Sequence, residues 1–233
     1  MPELETEQPG FPFWSYEDLC LLLAAVLPSW LIAVLAVRLS GVAGKGAQTL
    51  ILQTAVIALL LLVLYLLVAA RYGKPFWRSL GWQRPVRGVW WCAASGPVLA
   101  VVAGALGVVL RAPELPDPVK GLVTGPIALA IVMLFVVALG PIYEELFFRG
   151  FLYPLLAKSF GAAAGIVLTA LPFALLHGSQ YQWAWQQVAL VGLAGAAFGF
   201  VRYRTGSTAA STILHGCFNL TQFLGFLVTL RHL

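Results

Sequence analysis

Seven stretches of nearly unbroken apolar sequence, near residues 19–37, 49–70, 89–110, 122–142, 161–177, 186–201 and 208–230, set the limits within which this chain can fold. A helix rises 1.5 Å per residue, so about 20 apolar residues cross the roughly 30 Å hydrocarbon core of a bilayer. Backbone polar groups find no water there, and a helix satisfies them within one segment. With 61% of its 233 residues hydrophobic and only 10% charged, the chain is suited to lipid rather than water as its solvent. The pattern predicts an all-α, polytopic membrane bundle of about seven transmembrane helices. The fifth window is short and contains Pro172, so a bent or re-entrant helix is expected there.

The longest polar stretches are the first 18 residues and the connection from Arg71 to Gly88. An acidic N-terminal segment, 1–18, followed by a single membrane domain, 19–233, is the simplest division. The segment holds Glu3, Glu5, Glu7, Glu17 and Asp18 but no Lys or Arg, so the basic start of a secretory signal is missing. Arg71, Lys74, Arg78, Arg84 and Arg87, with Arg202 and Arg204, fall on one side if seven spans alternate. The positive-inside rule makes that side cytoplasmic, with the N-terminus inside and the C-terminus outside, against Arg38, Lys45, Arg111 and Lys120 on the other. Trp77, Trp82, Trp90 and Trp91 flank the basic connection as interfacial anchors. The net charge of +5 is then explained by loops facing anionic lipid, and nucleic acid is not an expected partner. Cys20, Cys92 and Cys217 lie in apolar windows without metal-site spacing and read as small buried residues.

Small residues at four-residue intervals, Gly161 with Gly165 and Gly195 with Gly199, allow helices to approach closely. No fixed-period repeat or inverted pair of broken helices appears, which weakens a transporter reading.

Against this background the charges of the C-terminal half stand out. A charge near the bilayer centre costs roughly 2.5–3.5 kcal/mol on insertion scales and persists where it is paired or used. Glu144 and Glu145 end an apolar run, and Arg149 follows one turn later. Glu145 can pair with Arg149 at i,i+4, whereas Glu144 projects about 100° away and stays uncommitted. A turn at Lys158–Gly161 would make a hairpin in which Glu144, 17 residues before Gly161, and His177, 16 after it, share a depth. His215 and Asn219 lie four apart on one face of the last helix. Each could serve packing alone: His177 as a helix-end cap, Glu145–Arg149 as a structural ion pair, His215 and Asn219 as interhelical hydrogen-bonding groups. Together, a free carboxylate, two imidazoles and a carboxamide make up an active-site inventory.

Three motifs then carry a family resemblance. Glu144-Glu145-Leu-Phe-Phe-Arg149, Phe173-Ala-Leu-Leu-His177 and His215-Gly-Cys-Phe-Asn219 resemble the EExxxR, FxxxH and HxxxN motifs of the CPBP family, the CAAX prenyl-protein proteases and bacteriocin-processing proteins. The resemblance covers about residues 122–225, while the first three helices match only as membrane spans. It implies an intramembrane endopeptidase in which Glu144 and His177 activate a water, His215 and Asn219 stabilise the oxyanion, and Glu145, Arg149 and Phe173 support them. It also implies a peptide or membrane-protein substrate, C-terminally lipidated in the CAAX case, and residence in a bacterial plasma membrane.

One Glu and two His are also the ligand set of catalytic zinc sites, so zinc on Glu144, His177 and His215 is the mechanistic alternative. Against it, the chain has no His-Glu-x-x-His helix, and a ligating Glu144 would leave no second base once Glu145 pairs with Arg149. The favoured expectation is a metal-free glutamate protease without cofactor. A non-catalytic scaffold or immunity-type protein, or a proton-coupled carrier relaying through Glu144 and the two histidines, are the readings from other classes.

Overall fold

A computed structural model of the chain describes residues 10–84, 88–115 and 120–230, without the side chains of residues 229 and 230. Glu3, Glu5 and Glu7 of the acidic segment, Arg87 of the basic connection and Asp117 lie outside the described residues. Every one of the seven apolar windows is helical. The helices are α1 (Tyr16–Ser40), α2 (Lys45–Arg71), α3 (Val89–Val109), α4 (Pro126–Phe160), α5 (Ala162–Leu176), α6 (Trp185–Thr205) and α7 (Thr208–Leu230). No strand occurs among the described residues, so the fold is all-α.

Five of these helices, α1 to α4 and α7, are long and apolar enough to cross a membrane. The expected count of seven is not established by the other two. α5 has 15 residues, below the length a span needs, and α6 carries Gln186, Gln187, Arg202 and Arg204. α4, at 35 residues, is much longer than its window, because the helix continues past the two glutamates to the expected break. That break falls at Gly161, whose φ of +83° is open to glycine and strained for other residues.

Apolar side chains fill the surface as well as the core, and several polar ones are enclosed. Leu39, Trp90, Trp91 and Val108 are largely exposed, whereas Glu145, Arg149, Arg202, Thr208, Ser211 and His215 are buried. In lipid, apolar side chains have nothing to gain by leaving the surface, so close packing and interhelical hydrogen bonds hold helices together. Glycines supply the close packing. α3 crosses α7 where a Cβ on Gly96 would lie 2.5 Å from Cys217 Cβ, and α5 crosses α4 where one on Gly165 would lie 2.9 Å from Ala157 Cα. α6 meets α5 through Gly199, against Ile166, and Gly195, against Phe173. Gly165, Gly195 and Gly199 thus serve close approach, and Gly161 serves the turn.

Two charges occupy places that their sequence context did not indicate. Asp18, counted with the acidic N-terminal segment, is buried in the first turn of α1, where it accepts from the Ser15 amide at 2.8 Å and the Tyr72 hydroxyl at 2.6 Å. Arg71 lies 3.4 Å from its other oxygen, so the start of α1 is tied to the end of α2. Arg202, counted with the basic connections, is instead a buried residue of α6 and does not face lipid headgroups. The segment before α1 is also fixed: Trp14 donates its indole N–H to the Phe151 carbonyl at 3.0 Å and stacks on that ring.

The α3–α7 crossing is open to a direct check. Gly96→Ala must push α3 away from Cys217 and Phe218, and overpacking of this kind typically costs about 1–3 kcal/mol. A lower thermal unfolding midpoint in detergent is expected, with helical content unchanged in the folded state.

Candidate active site

The site is built on irregularities in α4 that its prolines bring about. Over Phe135–Leu139 and again over Leu146–Leu152 the helix widens to π register, on either side of the diglutamate. The Gly140 amide bonds back five residues to Phe135, and the Tyr153 amide does the same to Phe148. The next amides in line would belong to Pro141 and Pro154, which have no N–H. Val136 and Arg149, five residues before each proline, therefore lose their helical donors, and a carbonyl in hydrocarbon needs another. Both are supplied from the C-terminal helices: Asn219 Nδ2 donates to the Val136 carbonyl at 2.9 Å, and Arg202 Nε to the Arg149 carbonyl at 3.2 Å. Gly216 lets α7 come this close, since a Cβ there would sit 2.8 Å from the Val137 oxygen. Widened π turns of this sort recur at functional sites.

Between the two π segments lie the acids. Arg149 Nη1 donates to Glu145 Oε1 at 2.8 Å, and neither side chain has any exposed surface. Arg149 Nη2 reaches the Gly195 carbonyl at 2.6 Å, and the guanidinium carbon lies 4.7 Å from the Phe173 ring centroid and 5.4 Å from that of Phe198. The cation is thus neutralised by one carboxylate, bonded to α6 and faced by aromatic rings. Phe173 owes its place in the second motif to this packing, which sets it between Arg149 and both imidazoles.

His215 joins the acids from α7. Its Nδ1 lies 3.0 Å from Glu145 Oε1 and its Nε2 3.8 Å from Glu144 Oε2, while the ring stacks on Phe198 at 4.3 Å between centroids. A carboxylate already paired with a guanidinium only accepts, so the Nδ1 nitrogen carries the hydrogen. His177, closing α5, shows the same polarity: its Nδ1 is 2.8 Å from the Phe173 carbonyl, which can only accept. Both imidazoles therefore commit Nδ1–H to the protein, and neither Nε2 makes a hydrogen bond among the described residues. The two glutamates differ in access, with the Glu144 side chain 15% exposed and that of Glu145 fully enclosed.

The structure thus gathers Glu144, Glu145, Arg149, Phe173 and His215 into one contact network. His177 adjoins it through Phe173, whose ring centre is 4.7 Å from the His177 ring and 5.9 Å from that of His215. No hydrogen bond or ion pair joins Glu144 to His177 among the described residues, and one of the two N–H groups of Asn219 Nδ2 is held by the Val136 carbonyl. Nor do Glu144, His177 and His215 converge as ligands. Among the described residues no three His, Cys, Asp or Glu side chains are grouped to hold a metal ion. Sequence reasoning missed Phe198, Arg202 and the roles of Pro141 and Pro154. The prolines on either side of the diglutamate were a readable signal, whereas nothing distinguished Phe198 among the chain's 14 phenylalanines.

Residues 126–221 match the family model for Rce1-like proteins, described as type II CAAX prenyl endopeptidase Rce1-like. This supports the CAAX-protease family that the three motifs resemble. The match runs from the start of α4 into α7 and takes in every residue of the network, while α1, α2 and α3 lie outside it. No curated protein and no solved structure matches the chain.

The proline account of the CAAX-protease-like core makes a specific energetic claim. Asn219→Ala leaves the Val136 carbonyl without its donor, a loss of about 1–3 kcal/mol. Pro141→Ala returns a backbone N–H to the same turn, so the double variant should be less destabilised than the sum of the single ones. Thermal unfolding of the four proteins in detergent measures this coupling, and strict additivity would count against the proline mechanism.

Proposed function

We propose that the chain is an intramembrane endopeptidase of the CAAX-protease type that uses Glu144 as its general base. The observation that carries this reading is the accessible Glu144 carboxylate facing His215 Nε2 at 3.8 Å, beside a fully enclosed Glu145–Arg149 pair. One acid is neutralised for structure, and the other is left open at the site. The match to Rce1-like endopeptidases over the same residues supports the reaction class.

In this reading Glu144, aided by the free Nε2 of His177, takes a proton from water as the hydroxide oxygen adds to the scissile carbonyl carbon. The carbonyl electron pair moves onto oxygen, and the resulting anion accepts hydrogen bonds from protonated His215 Nε2 and from Asn219. Collapse of this intermediate returns the pair, breaks the C–N bond and passes the proton held by Glu144 to the leaving amine. Asn219 Nδ2 carries two N–H donors, one held by the Val136 carbonyl and the second left to serve the oxyanion. Donors aimed at a developing oxyanion in a dry site are each worth on the order of 100-fold in rate. The substrate is a peptide or membrane protein, with a C-terminally prenylated chain as the form that the family description points to, and the setting is a bacterial plasma membrane. The mechanism is metal-free.

Cleavage of prenylated and unprenylated peptides by detergent-purified protein tests the reading. Glu144→Gln and His177→Ala should each lower kcat by roughly 100-fold or more while the unfolding midpoint stays close to that of the wild type. A chelator should leave the wild type active. Undiminished cleavage by Glu144→Gln would sink the proposal, and activity lost to chelator and restored by zinc would overturn its metal-free form.

A further inference from the structure

Glu145 Oε1 has two donors: Arg149 Nη1 at 2.8 Å and His215 Nδ1 at 3.0 Å. A carboxylate whose work was only to neutralise Arg149 would need the first alone. The geometry points to Glu145 as a positioning residue for the reaction, one that fixes which nitrogen of His215 faces Glu144. This rests on the proteolytic reading above and extends it to a residue otherwise assigned to helix support.

Packing cannot orient His215 by itself. The ring lies against Phe198 with 21° between planes and meets the edge of Phe173. Rotating it by half a turn about the Cβ–Cγ bond exchanges Nδ1 with Cδ2 and leaves both contacts nearly unchanged. Polar groups at the ring edge distinguish the two orientations, and of the two carboxylates there Glu145 Oε1, 3.0 Å from Nδ1, is within hydrogen-bond distance, whereas Glu144 Oε2 lies 3.8 Å from Nε2. Arg149 could not take its place, because a guanidinium only donates. With Nδ1–H held by Glu145, the tautomer is set, and Nε2 is the nitrogen turned toward Glu144 and the substrate.

The test must separate pairing with Arg149 from holding His215. Glu145→Leu combined with Arg149→Met removes the acceptor and the cation together, a replacement by apolar residues that buried ion pairs often tolerate. Full-length protein labelled with ¹⁵N-histidine, in detergent, reports the tautomer by NMR, with His177→Asn and His232→Asn used to assign the signals. The wild type should show His215 protonated at Nδ1. The double variant should lose this preference and show kcat lowered on the order of 100-fold or more, with KM little changed. A folded double variant with wild-type kcat would overturn the inference, as would a wild-type His215 that carries its hydrogen on Nε2 and none on Nδ1. If the double variant does not fold, the wild-type tautomer decides alone. A wild type that cleaves nothing defeats the proteolytic reading, and the NMR measurement still decides whether Glu145 holds His215.

Discussion

The enclosed ion pair between Glu145 and Arg149 is the interaction on which the C-terminal half is organised. Two charges removed from water in a lipid-embedded helix persist where they are paired and hydrogen-bonded. Glu145 Oε2 and Arg149 Nε have no hydrogen-bond partner among the described residues, and the other polar atoms of the pair recruit the neighbours one by one. Gly195 offers its carbonyl, Phe173 and Phe198 bring their rings to the guanidinium, and His215 takes a place on the carboxylate. The pair thus joins α4, α5, α6 and α7 around one point. Glu144, one residue away and turned about 100° around the helix, takes no part in the ion pair and touches the arrangement only at His215, with its side chain 15% exposed.

Much of the fold was legible in the sequence because bilayer thickness converts directly into helix length. The seven windows became helices, and the break at Gly161 fell where a turn was expected. Span number was less legible, because hydropathy alone does not fix whether a 15-residue helix such as Ala162–Leu176 crosses the bilayer or ends inside it. Charges near helix ends were the hardest to place. Asp18 and Arg202 look like interfacial residues in a linear reading, yet each is enclosed by partners that come from elsewhere in the chain.

In the candidate site, spacing revealed what one helix decides and concealed what two helices decide together. The i,i+4 relation of Glu145 and Arg149 follows from helical geometry, and the pair forms. That His215 would bond Glu145 as well as face Glu144 depends on how α7 docks against α4, through Gly216 and the π segment at Phe135–Leu139. The tie of Asn219 to Val136 is likewise a tertiary fact, although its cause, a proline five residues past an acceptor, is written in the sequence.

The two uncapped carbonyls of α4 also bear on how the protein is made. Arg149 receives its donor from a residue 53 positions later and Val136 from one 83 positions later. When α4 leaves the ribosome, neither donor has yet been synthesised. A helix with exposed carbonyls and an enclosed ion pair still lacking its rings is a poor candidate for release into lipid. α4 can therefore reach its final packing only after α6 and α7 have been made, so that its bonding is completed by the segments that follow it.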